Sequence, residues 1–472
     1  MRPSALLRLA TTGGRPDTMR IVMTALGSAL GAIALLCALT VASIGPGDGP
    51  YSSDLLDQQG LHTGVIITFA LLCVPILIFV GQCSRIGAPG RDRRLAALRM
   101  AGATPADVSR IAAVESGLAA AAGALAGLAA YLVGRELLDG TSGPPAQPVL
   151  TLPTDVLPPW WALLAVLAGL PAAAALFSAV ALRRVAITPF GVLRRARTIP
   201  PRVLPAVLLA AGAGGMAAFA TIIELLGRQQ KAGPVAGLIF FVLFLLAAVG
   251  LILGTASVAA VMGRLLAPRV RRPWLLIASR RMIALPLSAS RTSSAILLAV
   301  LIGAIVEGTR VTVLLSTNTN EDFYSSTFDL IDLAIAVALV IAAAGLLVNA
   351  AEGIVTRRRS YAALAASGTP RGVLARAALA ETLLPLIPGV ILAATTGILA
   401  ARGVFGTTVE RPLDPLATEG PGTLMHTVAV PVPWAELGVL VGGSLLAMLL
   451  TTAAALMFLR SATDPSELRA AA

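Results

Sequence analysis

The sequence predicts an all-α polytopic membrane protein, with about ten transmembrane helices in a 4+2+4 arrangement that contains two parallel repeats. Three observations carry this reading. Of 472 residues, 57% are hydrophobic and only 13% are charged, about half the charged share of a soluble domain. Apolar stretches recur along the whole chain, each with the roughly 20 residues needed to cross a hydrocarbon core as one helix. An arginine-rich segment after the second stretch returns, nearly copied, after the eighth.

Taken in order, hydropathy places spans near 21–44, 62–83, 111–134, 160–182, 203–226, 235–262, 292–315, 329–351, 377–401 and 434–459. The first run is longer than a signal peptide and has no small-residue cleavage site behind it, so it reads as a span. Trp160, Trp161 and Trp434 open two of the spans, where aromatic rings anchor at headgroup depth. Runs of small residues at 119–130 and 210–220 provide faces on which helices can approach closely. The loops at 45–61, 135–159, 227–234, 316–328 and 402–433 are each shorter than an independent domain. Two of them, Gly45 to Tyr51 and Pro412 to Pro421, have the Gly, Pro and acidic composition of surface loops. The domains expected are a first four-helix repeat at 1–200, a central two-helix linker at 201–265 and a second four-helix repeat at 266–472.

The net charge of +12 does not signal nucleic-acid binding, because 30 of the 36 Lys and Arg residues fall in the segments on the terminal side of the spans. By the positive-inside rule both termini are expected in the cytoplasm of a multi-pass cell-membrane protein. The only lysine, Lys231, is followed by Ala232, which excludes a P-loop. Three cysteines within spans (Cys37, Cys73, Cys83) and two histidines (His62, His426) suggest neither a disulfide framework nor a metal site. No cofactor and no catalytic residue is expected.

The repeated segment reads Arg91-Asp-Arg-Arg-Leu-Ala-Ala-Leu-Arg-Met-Ala-Gly-Ala-Thr-Pro105 in its first copy and Arg357-Arg-Arg-Ser-Tyr-Ala-Ala-Leu-Ala-Ala-Ser-Gly-Thr-Pro370 in its second. Arg93, Arg94, Leu95 and Leu98 form a basic and apolar short helix. Gly102 can end it in a left-handed conformation, and Thr104-Pro105 can start the next helix. Arg359, Tyr361, Leu364, Gly368, Thr369 and Pro370 repeat the design. Equivalence continues into the following spans, Arg110 with Arg376, Glu115 with Glu381 and Gly123 with Gly389. Anchoring to lipid explains the arginines but not the repeated Leu, Gly and Thr-Pro, which suit a stub that docks on a soluble partner.

These residues, with the Pro and Leu-Arg that close each four-helix group, resemble the FtsX-like (MacB/FtsX) ABC-transporter permeases. The 4+2+4 layout resembles the bacitracin-exporter type, lacking the large extracellular domain that such relatives carry between the seventh and eighth spans. The resemblance implies a permease subunit that couples ATP hydrolysis on a separate ABC ATPase, in two copies, to export or extraction of an amphiphile such as an antimicrobial peptide or lipid-linked molecule. It implies that the two stubs are coupling helices, and the internal repeat makes one permease chain per complex the simplest assembly. Alternatives are a non-transporting mechanotransmission protein driven by an ATPase, and a secondary transporter.

Ionisable residues inside spans are costly and face protein or water. Glu307 and Arg310 stand one turn apart and are expected to pair, with a substrate or gating role as the other reading. Glu115 and Glu381 are expected to tie each stub to its helix through local salt bridges or the helix dipole.

Overall fold

The computed structural model describes residues 15–52, 54–57, 59–83, 100, 102, 104–142, 149–186, 203–226, 234–316, 321–412 and 425–459. The chain forms two compact units, Met1–Arg194 and Arg195–Ala472.

In the first unit, α1 (Arg15–Ala42), α2 (Asp54–Asp57), α3 (Gln59–Cys83), α4 (Pro105–Leu138) and α5 (Trp160–Ala186) follow in order. Helix α1 packs against α3, α4 and α5, and α4 against α5. The α1–α4 seam is a backbone contact made possible by small residues. A Cβ on Gly123 would lie 2.1 Å from the Ala25 carbonyl oxygen, and one on Gly127 would lie 2.5 Å from that of Ala29. Without a hydrophobic force between helices in lipid, such close van der Waals approach is what holds the pair.

The second unit contains α6 (Leu204–Ala217), α7 (Phe219–Leu225), α8 (Pro234–Leu266), α9 (Pro273–Ala284), α10 (Pro286–Ser316), α11 (Glu321–Thr356), α12 (Arg358–Ala366), α13 (Arg371–Phe405) and α14 (Trp434–Ala455). Helix α10 packs against α8, α11, α13 and α14, and the central helices α6 and α8 both lie on α13. Among the described residues eight helices are long and apolar enough to cross a membrane, and α3 adds the shorter apolar stretch Leu72–Cys83. The chain is thus a multi-pass membrane protein.

The structure departs from the sequence reading in two places. The span expected at 203–226 is broken, with α6 and α7 meeting at 74°. Gly403 of α13 presses on the break, where a Cβ would come 1.8 Å from the Met216 carbonyl oxygen. Beyond it, Phe219 and Ile223 bury against Ala236 of α8, and the Phe219 ring meets Phe240 edge-on at 5.6 Å. The second departure is that the loops expected on the outer side are not all irregular. An antiparallel pair, β1 (Thr141–Ser142) with β2 (Val149–Leu150), closes the first unit. Another, β3 (Thr408–Pro412) with β4 (Met425–Ala429), closes the second, with Glu410 opposite Thr427. The β-branched residues Thr408, Val409, Thr427 and Val428 favour this hairpin. The loop at Gly45 to Tyr51 also contributes to a core: Tyr51 is buried with Val41 and Ile44, and its hydroxyl donates to both Asp155 carboxylate oxygens at 2.9 and 3.0 Å. Burial, then that carboxylate, raises the Tyr51 ionisation above its ordinary value.

Candidate functional site

The stub of the second unit is α12 with its two flanking turns. Helix α11 stops because Arg357 leaves helical geometry (φ −100°, ψ 15°). After one short helix the chain reverses at Gly368, whose φ of +89° is left-handed. Thr369 N–H donates to the Leu364 carbonyl and Gly368 N–H to that of Ala365, both at 3.0 Å. This is a Schellman motif with glycine at the position where a Cβ is disfavoured. Pro370 then caps α13 in an extended conformation.

At the equivalent turn of the first unit, Gly102 has φ +96° and Thr104 is the N-cap of α4. Its hydroxyl accepts from Asp107 N–H at 3.2 Å, and Asp107 Oδ2 accepts from Thr104 N–H at 3.2 Å, with Pro105 in the first turn. This reciprocal capping box holds the Asp107 carboxyl below its ordinary value, chiefly through the Thr104 hydroxyl. The one-residue difference between the copies lies here: the first turn is capped by Thr104, whereas the second has no side-chain cap. Arg93, Arg94, Leu95 and Leu98 lie outside the described residues. Met100, just before the turn, is exposed.

Each stub leads into a span that carries a glutamate, and the two glutamates are held differently. In the second unit Arg357 Nη1 donates to Glu381 Oε1 at 2.7 Å, and the guanidinium of Arg281 stands 3.6 Å from Glu381 Oε2. Arg281 also donates to the Tyr361 hydroxyl at 2.6 Å and lies over its ring, 4.5 Å from the centroid. Tyr361 is buried among Ile354, Leu374, Ala455 and Leu459, with Leu364 packed against the same cluster. Tyr361 and Leu364 therefore fasten the stub to the bundle, while Ser360, Ala363, Ala366 and Ser367 face outward. Arg359 belongs to the same helix. In the first unit Glu115 pairs instead with Arg20 of α1, and both side chains are almost fully enclosed, at 3% and 2% exposure. Neither glutamate turns to the arginine five residues before it, since Arg110 and Arg376 are exposed.

Glu307 and Arg310 are brought near each other but do not form the intrahelical pair expected from their spacing. Arg310 reaches across to α11, donating to Asp332 Oδ2 at 2.6 Å and Asp329 Oδ1 at 3.1 Å. Glu307 is buried, with Asp332 and Glu436 as its acidic neighbours. The long arginine side chain finds two carboxylates on the facing helix and so makes two charge-assisted hydrogen bonds.

Sequence reasoning did not identify Arg20, Arg281 and Arg357 as partners of the glutamates, nor a second repeated feature at the opposite ends of the same helices. Near the end of α4, Arg135 donates to the carbonyls of Val156 and Thr154. Near the end of α13, Arg402 donates to the Val430 carbonyl at 3.4 Å. Each arginine pins the loop that follows to its span, and their nearly constant spacing from Glu115 and Glu381 was the signal available.

No curated protein matches the chain. The family described as FtsX-like permease C-terminal matches twice, over residues 64–190 and 333–463, together more than half of the sequence. Each match takes in the stub, the glutamate-bearing helix and the helix after it. The matches fall one in each unit and together cover more than half of the sequence, and the chain belongs to the FtsX-like permease family.

Proposed function

We propose that this chain is the membrane subunit of an ABC transporter that exports, or extracts from the outer leaflet, an amphiphile such as an antimicrobial peptide or a lipid-linked molecule. A separate ATPase, bound as two copies to one permease chain, supplies the energy, and the permease itself catalyses no reaction. The stubs at 93–105 and 359–370 are its coupling helices, and both termini lie in the cytoplasm with them. The layout is of the bacitracin-exporter type without a large extracellular domain.

The observation that carries this reading is the fastening of the second stub. A helix that only anchored the chain to lipid would need no buried tyrosine and no shared carboxylate at its root. Here Tyr361, Arg281, Arg357 and Glu381 make the stub continuous with α9, α11 and α13. A push on its outer face is thereby delivered to three helices at once. Nucleotide can drive such a device only through differential affinity of the ATPase for two arrangements of the permease; reversing a 1:99 population takes about 5.5 kcal/mol.

The test is co-purification of an ABC ATPase expressed together with this chain. Met100→Asp with Gly102→Asp, and Ala363→Asp with Ser367→Asp, place charge on the exposed turns without touching the buried anchor. Loss of the ATPase from either pair supports docking, and undiminished complex formation in the combined variant refutes it. Vanadate-sensitive movement of an amphiphile in vesicles then separates transport from signalling.

A further inference from the structure

Glu307 lies in the half of α10 away from the second stub and is only 7% exposed. Among the described residues its Oε2 is enclosed and receives no hydrogen bond. The helix around it is packed tightly: a Cβ on the adjacent Gly308 would lie 2.6 Å from the Ala401 Cβ of α13, and one on Gly303 would lie 2.9 Å from the Leu440 side chain of α14. A bare carboxylate with neither water nor donors is costly, so an acid in such a place keeps its proton rather than its charge. No group of acidic, histidine or cysteine side chains among the described residues is placed to hold a metal ion. The ligand that needs no space is a proton.

The neighbouring charges decide which acid carries it. Arg310, one turn further along α10, is turned to α11, where it donates to Asp332 Oδ2 and Asp329 Oδ1. Asp332 also stands within hydrogen-bonding reach of Glu307. Two carboxyls that share a site do not both ionise, and the proton stays on the one that lacks a cation. Asp332 is therefore the carboxylate and Glu307 the acid. Glu436 of α14 adds a further negative charge beside Glu307, and Glu321 and Asp322 open α11. On the other elements packed against α10, Arg402 of α13 is turned to the Val430 carbonyl, and β3 carries Glu410 beside Arg411. Arg264 of α8 and Arg280 and Arg281 of α9 stand at the stub end, where Arg281 meets Tyr361. The segments 317–320 and 413–424 contain no Lys or Arg.

We infer that Glu307 is a proton-binding site, holding one proton and donating it in a hydrogen bond to Asp332, so that the proton clasps α10 to α11. The Asp332 side chain is 33% exposed and is the route by which the enclosed acid exchanges its proton with water. Loss of the proton leaves two carboxylates side by side, and their repulsion loosens α10 from α11. Helix α11 runs from this seam to the root of the second stub. Proton occupancy at one end of α11 thus bears on the helix that holds the stub at the other.

The experiment is infrared difference spectroscopy of the full chain in lipid nanodiscs, between neutral and alkaline buffer. Expected is a carboxylic-acid carbonyl band at neutral pH that disappears in alkali and shifts when glutamate, but not aspartate, is isotope-labelled. Glu307→Gln removes the acid, and Asp332→Asn frees Arg310 to pair with Glu307, so each variant should abolish the band, whereas Glu436→Gln should keep it. Circular dichroism melts give a second measurement. In acid the natural chain and Glu307→Gln should melt alike, because Gln imitates the protonated acid. As pH rises the natural chain should lose stability relative to the variant, by up to tenfold in the folding equilibrium per pH unit while the folded chain alone holds the proton. No acid band at neutral pH, a band that follows the aspartate label or survives in Glu307→Gln, or melts that stay parallel at every pH overturn the site.

Discussion

The two glutamates that stand at equivalent places in the repeat should respond very differently to the same substitution. Glu115→Gln removes the counter-ion that Arg20 has among the described residues, and the Arg20 side chain is 2% exposed. Breaking a buried pair by deleting one partner costs about 3–5 kcal/mol, because the remaining charge is left without water or a partner. Glu381→Gln strands two arginines, but Arg357 is 24% and Arg281 15% exposed, and Arg281 keeps the hydroxyl and ring of Tyr361. The loss there is closer to that of a charged hydrogen bond, about 1.5–3 kcal/mol before screening by water. The first substitution should therefore be the more destabilising, by about 2 kcal/mol. Circular dichroism melts of the full chain in detergent measure both. A thiol-reactive dye follows the first unit alone, because Cys37, Cys73 and Cys83 all belong to it and are buried or half-buried. Arg20→Met combined with Glu115→Leu should recover most of the loss, since an apolar pair of similar volume avoids desolvating charge. If Glu381→Gln proves as costly as Glu115→Gln, or the apolar pair is no better than the single variant, the account of the first pair as a dry ion pair is refuted.

Three further outcomes follow from the same geometry. A Cβ on Gly102 or Gly368 meets no neighbour within 4 Å, so the cost of Gly102→Ala or Gly368→Ala is conformational, about 1–2 kcal/mol each; Asn at either position should preserve ATPase co-purification more than Ala does. Gly123→Ala forces a Cβ into the Ala25 carbonyl and should lower stability by about 1–3 kcal/mol, read as earlier thiol labelling on heating, whereas Gly134→Ala, which meets open space, should not. The Asp107 carboxyl titrates below its ordinary value of 3.8, so its contribution to the α4 capping box is complete above that value and is lost as pH falls through the depressed one. The stability difference between the natural chain and Asp107→Asn should accordingly vanish in acid, and a difference that grows on acidification contradicts the capping assignment.

Much of the architecture was legible in the chain because lipid imposes a simple rule. Every backbone group within the hydrocarbon must be satisfied inside its own segment, so long apolar runs become helices wherever they occur. Helix stands at each stretch that hydropathy marks, broken only at 203–226, and α4, α11 and α13 extend several residues beyond both expected ends. The stub turns were equally plain, because Gly102 and Gly368 occupy left-handed positions that other residues rarely adopt. The break between α6 and α7 was not legible. It carries no proline and depends on Gly403, almost 190 residues away, whose bare backbone allows α13 to press on Met216.

Sequence by itself determined the class of the molecule, its repeat, the distribution of its arginines and the glycine turns of its stubs, since each is a property of local composition or of spacing along one segment. Only tertiary structure decided which charges meet. Local spacing favours Glu307 with Arg310, yet Arg310 pairs with Asp332, and Glu115 is met by Arg20 from another helix. Partners are chosen in three dimensions because a long side chain in a low-dielectric interior goes to the opposite charge that helix packing brings within reach. Packing also opens a cavity under the stub of the second unit while enclosing the equivalent pair in the first, a difference that two nearly copied sequence segments do not reveal.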